Sequence, residues 1–190
     1  MATRFETADR EIAGRIPPQA QDVEMAVLGA MMRDAGAVGV ACGILEATDF
    51  YVPTHRRIYT AIQVLYAKSE PIDLATVAAE LEKTGDLEKC GGRAALVDIA
   101  DSVFTAANVQ AHARLVHDKA ILRMVINAAQ GATEQCYNAP GDIGELLEQV
   151  ESRIFAITDK RSGARSDSVG ATSMMLSVLE NMDVYRTHGV

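Results

Sequence analysis

The order of apolar and polar positions predicts helices along nearly the whole chain. In "QAQDVEMAVLGAMMRD", Val23, Val27, Leu28, Met31 and Met32 return at helical spacing. Pro17 and Pro18 precede it, and proline suits a first helical turn. Gly36 interrupts the pattern, and "AVGVACGIL" predicts a glycine-weakened helix ending near Leu45. Pro53 keeps Val52 out of the helical region and opens the next helix, with Ile58, Tyr59, Ile62, Leu65 and Tyr66 on its apolar face. After the loop "SEPID", Asp73 is placed to cap "LATVAAELEKTG". Leu74, Val77, Ala78 and Leu81 point inward there, and Gly85 stands where a terminating glycine belongs. Gly91 and Gly92 lead into "RAALVDIADSV".

A longer pattern follows. Thr105 is the expected cap of a helix from about Asn108 to Asn138, and "NAPGD" breaks it. Asp142 is placed to cap the next helix. In that helix Ile143, Leu147, Val150, Ile154 and Ile157 recur at alternating spacings of four and three, a heptad seam. Two helices joined by a tight turn predict an antiparallel hairpin. "KRSGARSDSVGATS" reads as a flexible linker. Beyond it Met174, Met175, Val178, Leu179, Met182 and Tyr185 line one side of a final helix that lacks anything to pack on. No alternating strand pattern stands out. The expectation is therefore all-α. A flexible arm (1–16) precedes a compact multi-helix globular domain (17–104). A self-associating hairpin (105–161) and a linker with an amphipathic helix (162–190) follow.

Composition agrees with helices. Aromatic residues make up 5 % with no Trp, so Ala, Leu, Val, Ile and Met carry the apolar content, and Ala, Leu and Met lose little freedom in a helix. The formal net charge of −8 argues against a surface built for DNA phosphates, and the Lys160-Arg161 cluster reads as a solvated helix end. Cys42, Cys90 and Cys136 are odd in number, widely spaced and without a CxxC pair. They read as reduced, largely buried thiols rather than a disulfide framework or zinc site. No apolar run reaches the roughly 18 residues of a membrane span, and "MATRFETADREIAGRI" lacks the apolar core of a signal peptide. The expected location is the cytoplasm.

Catalytic motifs are sought without success. None of the five lysines follows a glycine, so the GxxxxGK[ST] phosphate loop is missing, as are GxSxG, HExxH, GxGxxG and calcium-loop patterns. His112 and His117 are five apart, point in different directions on a helix, and have no ligand set completed around them. "DFYVPTHRRIYTAIQVLY" concentrates rings and charges. Asp49 and His55 could form an acid–base pair there, but at the foot of an amphipathic helix they are better read as satisfying buried polar groups. The hairpin seam has two readings. It could pack within the chain against Leu115, Leu122, Ile126 and Ala129. A projecting hairpin cannot bury both outer sides, however, so association with a second copy is the favoured reading.

Four segments in register resemble DnaB-type replicative DNA helicases. "PPQAQDVEMAVLGAMM" is similar to the family's PP-x-x-x-E-A-E-x-x-V-L-G, with Asp22-Val23-Glu24 standing for E-A-E. "DFYVPTHRRIYTAIQVLY", "PIDLATVAAELEKTGDLEKCGG" and "TAANVQAHARLVHDKAILR" resemble its next three signatures. The resemblance runs from Pro17 to about Gly163, more loosely beyond. It implies the N-terminal collar domain of a hexameric helicase. That domain dimerises through a hairpin, here Leu122, Ile126, Ile143, Leu147, Val150, Ile154 and Ile157, and the assembled collar recruits primase. It also implies a linker helix, here Met175, Val178, Leu179 and Met182, docking on the motor domain of a neighbouring subunit. ATP and Mg would belong to that motor, which this chain lacks. No cofactor, no ATP hydrolysis and little direct DNA binding are expected of the chain itself. The alternative is a stand-alone helical adaptor or regulator that docks on helicase or primase.

Overall fold

The computed structural model describes residues 16–103, 105–138 and 141–161. Among these, every regular element is helical. The helices are α1 (Gln21–Arg33), α2 (Ala35–Cys42), α3 (Pro53–Ala67), α4 (Leu74–Thr84), α5 (Gly92–Asp101) and α6 (Val109–Tyr137). A last helix, α7, spans 143–161. Short 3-10 turns cover Ala47–Asp49 and Glu88–Cys90.

Local chemistry sets most boundaries. Asp34 caps α2 by accepting from the Gly36 amide at 2.8 Å. This stops α1 and restarts the chain, so Gly36 lies inside the first turn of α2 rather than breaking it. Pro53 opens α3. The Asp73 carboxylate accepts from the Ala75 and Thr76 amides while Thr76 Oγ1 accepts from the Asp73 amide, a reciprocal cap on α4. Gly85 ends α4 at φ +71°, a left-handed conformation open to glycine at little cost. Two expected boundaries differ. α2 stops at Cys42, and a turn at Gly43 and Ile44 follows instead of helix to Leu45. Asn108, not Thr105, stands at the start of α6. Thr105 Oγ1 instead accepts from the Ala107 amide at 3.2 Å, a local turn that competes with capping.

α1 lies at the centre, packed on α2, α3, α5 and α6. Its Val27, Leu28 and Met31 pack in one core with Val38, Phe50, Ile58, Tyr59, Ile62, Leu65, Val77, Leu81 and Leu96. Phe50 and Tyr59 meet with ring centroids 4.8 Å apart, and Tyr59 donates to the Leu45 carbonyl at 2.7 Å. Burial pushes the Tyr59 phenol far above its ordinary pKa, so it stays a neutral donor. Tyr66, expected on the same face, is exposed. The core continues past residue 104, because Val109, Ala113 and Val116 of α6 belong to it.

Candidate assembly site on the helical hairpin

The site begins with two buried carboxylates, one that orders the globular part and one that holds α6 and α7 to it. Glu24, inside α1, is almost fully buried. Its carboxylate accepts from the Tyr51 and Val52 amides at 2.7 and 3.2 Å and lies 2.8 Å from His55 Nδ1. Val52 at the start of α3 carries no capping side chain, and Glu24 accepts from its amide and from that of Tyr51 across from another helix. Asp49 is equally buried. It accepts from the Glu46 amide at 3.1 Å, lies 3.1 Å from His117 Nδ1 on α6, and pairs with Lys160 Nζ on α7 at 2.9 Å. Burial alone would raise the Asp49 pKa. Contacts with His117, the Glu46 amide and Lys160 outweigh it and hold the carboxyl below its ordinary range.

Asp49 and His55 therefore do not form a pair; each takes a partner from a different helix. Both satisfy buried groups as expected, but through Glu24, His117 and Lys160, which no local pattern singles out. Lys160 is not a solvated helix end. It bridges Asp49 and Glu46, the latter at 2.8 Å. Arg123 completes the attachment from α6, donating to the Pro18 carbonyl at 2.8 Å and to the Asp49 carbonyl, with its guanidinium 5.6 Å from the Tyr51 ring centre.

Beyond this anchor the two helices run antiparallel. Asp142 caps α7 through the Gly144 amide at 2.7 Å. Gln135 meets Gln149 at 3.3 Å and Arg153 at 3.4 Å, and the Arg153 guanidinium lies against Gly131. Gln149, Arg153 and Lys160 thus mark the inner face of α7. On a helix of 3.6 residues per turn the heptad seam sits roughly 100° around from that face. The seam is consequently split. Ile157 is 8 % exposed and Val150 half-buried, whereas Ile143, Leu147 and Ile154 are 70, 57 and 46 % exposed.

α6 changes sides along its length. Val109, Ala113, Val116 and Ala120 are buried, while Leu115, Leu122, Val125 and Ile126 form an exposed stripe on the opposite side. Packing of Leu122 and Ile126 inside the hairpin is therefore not what the structure has: they are 48 and 38 % exposed. Phe155 and Tyr137 add exposed rings that the heptad reading passed over, because neither falls on the seam. Cys136 is exposed, against the expectation of buried thiols. Met175, Val178, Leu179 and Met182 lie outside the described residues. Among the described residues no cluster of His, Cys, Asp and Glu could hold a metal, and no helix is long and apolar enough to cross a membrane. What the arrangement can do is bind: a rigidly held helix pair with an apolar outer face.

Known proteins share this architecture. A family model described as the DnaB-like helicase N terminal domain matches residues 16–118. The replicative DNA helicase DnaC of Bacillus subtilis is 39 % identical over 148 residues, 78 % of this chain and 33 % of its own length. DnaB of Geobacillus stearothermophilus is 40 % identical over 151 residues, 79 % of this chain and 33 % of that protein. The chain spans about a third of the length of these curated relatives. The crystal structure of the N-terminal domain of DnaB helicase from Mycobacterium tuberculosis matches with a TM-score of 0.72 at 35 % identity, covering 75 % of this chain and 99 % of that one. A DnaB-like replicative helicase whose structure describes its interactions with primase matches with a TM-score of 0.60 at 23 % identity. It covers 73 % of this chain and 31 % of that one, a likeness of fold.

Proposed function

The chain belongs to the DnaB-like helicase N-terminal domain family, and from that premise we propose that it serves as the collar that assembles a replicative DNA helicase. The observation that carries the reading is the apolar outer face of a hairpin held rigidly to its globular part. Leu122, Ile126, Ile143, Leu147 and Ile154 would cover one another across a two-fold axis, with Val150 and Ile157 closing the inner edge. Such pairs would build a ring of up to six copies, and that ring would recruit primase. The neighbour described with its primase interactions supports this partner.

The linker residues Met175, Val178, Leu179 and Met182 would dock on the motor domain of an adjacent subunit. ATP and Mg would act in that motor and not in this chain, and the setting would be the cytoplasm. Helicase activity is thus a property of the longer protein, to which this part contributes geometry.

Multi-angle light scattering on the 190-residue chain tests the interface. The unmodified chain should have at least a dimer's mass, and Leu147→Glu with Ile154→Glu should reduce it to a monomer at unchanged helicity. An unchanged mass in the double variant contradicts the assignment of these residues. Repeating the measurement with primase added should show a further complex.

A further inference from the structure

Where the hairpin leaves the globular part, the chain encloses a cleft of about 840 Å³. One wall is the face of α6 from Ala120 to Gln130, about 15 Å of helix at 1.5 Å per residue. Ile16, Met124 and Ile126 give it apolar walls, and Arg56 and Arg123 line it from two sides.

The partners of these two arginines are neutral. Arg33, Arg57 and Arg93 each meet a carboxylate. Arg56 donates through Nε to the Phe50 carbonyl at 2.6 Å, and Arg123 donates to the Pro18 and Asp49 carbonyls. Among the described residues neither forms an ion pair. The carboxylates nearby cannot serve. Glu24 is committed to two amides and His55, and Asp49 to the Glu46 amide, His117 and Lys160. Carbonyl bonds orient a guanidinium without neutralising it, so both remain charged, with further N–H donors on each.

We propose that this cleft docks an acidic, apolar peptide segment of another protein. Its carboxylates would take the forks of Arg56 and Arg123, and its apolar side chains would cover Ile16 and Met124. Guanidinium–carboxylate geometry gives the charge specificity. The length of the α6 wall suits a few extended residues or two to three helical turns. A nucleic-acid strand needs a continuing basic track, which a chain of net charge −8 does not offer.

The test is a peptide-display selection against the 190-residue chain, followed by fluorescence anisotropy of the enriched peptides after labelling. Enriched sequences should combine Glu or Asp with Leu, Ile or Phe. Arg56→Gln should weaken them at least tenfold, and Met124→Gln should do so independently from the apolar wall. Circular dichroism melts establish that both variants are folded. Enrichment without acids, or affinity indifferent to both substitutions, overturns the proposal. Binding that appears only after residues 1–15 are removed assigns the cleft to the chain's own arm and also overturns it. So does single-stranded DNA displacing the peptide through Arg56.

Discussion

Replacing Lys160 by methionine keeps the unbranched stem and deletes one cation, and the structure sets the size of the effect. Lys160 Nζ stands 2.9 Å from Asp49 Oδ1, with side-chain exposures of 19 and 1 %. Two unit charges at that distance attract by about 6 kcal/mol at an effective dielectric near 20, and desolvation removes most of it. Glu46 is well exposed, and its pairing adds little. Removing one partner of a buried pair costs about 3–5 kcal/mol. Asp49 keeps the Glu46 amide and His117, but its Oδ1 has no other hydrogen-bond donor. A loss of about 2 kcal/mol is expected, or a fall in Tm of roughly 4–8 °C for a chain of this length. Urea unfolding of the wild type, Lys160→Met, Asp49→Asn and the double variant closes a cycle, with an expected coupling of about 2 kcal/mol. The Asp49 carboxyl is held below its ordinary value of 3.8. Its contribution is complete above about pH 4 and disappears as pH falls through the folded-state value. The gap between wild type and Lys160→Met should therefore narrow in acid. Additive effects in the cycle, or a gap unchanged between pH 7 and pH 3, would refute the Asp49–Lys160 coupling.

Glu24→Ala strips the acceptor from two amides and His55 at once and should cost at least 3 kcal/mol in urea denaturation, whereas Glu24→Gln keeps one acceptor and should cost less. Equal losses would mean the carboxylate is not the cap of α3. Gly29→Ala would drive a methyl into the Ile99 carbonyl oxygen where α1 crosses α5, beside Val103 and Ser102. A destabilisation of about 1–3 kcal/mol is expected by thermal melting, and an unchanged Tm would show that α1 and α5 can part freely.

What could be read from the sequence is what short-range chemistry determines. Pro53, Asp73 and Gly85 mark helix ends through their own backbone and side-chain preferences, and the structure uses each of them so. Ile58, Ile62 and Leu65 reach the core because their spacing leaves no other common face. The attachment of the hairpin was not legible. Asp49 and His117 are 68 residues apart, and Glu46 and Lys160 are 114 apart; no periodicity relates them. α6 is ambiguous for a different reason. Leu115, Leu122 and Ala129 recur every seven residues and look like one inward seam. The inward face is instead built from Val109, Ala113, Val116 and Ala120, and it ends where the globular part ends. A single helix thus has an inward apolar stripe from Val109 to Ala120 and an outward one from Leu115 to Ile126, and their overlap blurs the periodic signal of the whole.

The physical division of labour between these contacts bears on assembly. An apolar joint between globular part and hairpin would tolerate sliding, because dispersion and burial are nearly direction-free. The joint found here is polar. Asp49 receives donors from its own turn, from α6 and from α7, and Arg123 ties α6 to two backbone carbonyls. Buried ion pairs contribute modestly to net stability, but a displaced hairpin would leave a carboxylate and a guanidinium desolvated and unmet. Deviation in angle is therefore costly even though the contact itself is not strongly stabilising. The apolar stripes of α6 and α7 run through and past this joint, so their direction in space is inherited from it. For a surface whose proposed partner is its own copy, that matters more than extra burial. A small error in angle would be repeated at every subunit, and closing a ring depends on each pair meeting at the same inclination.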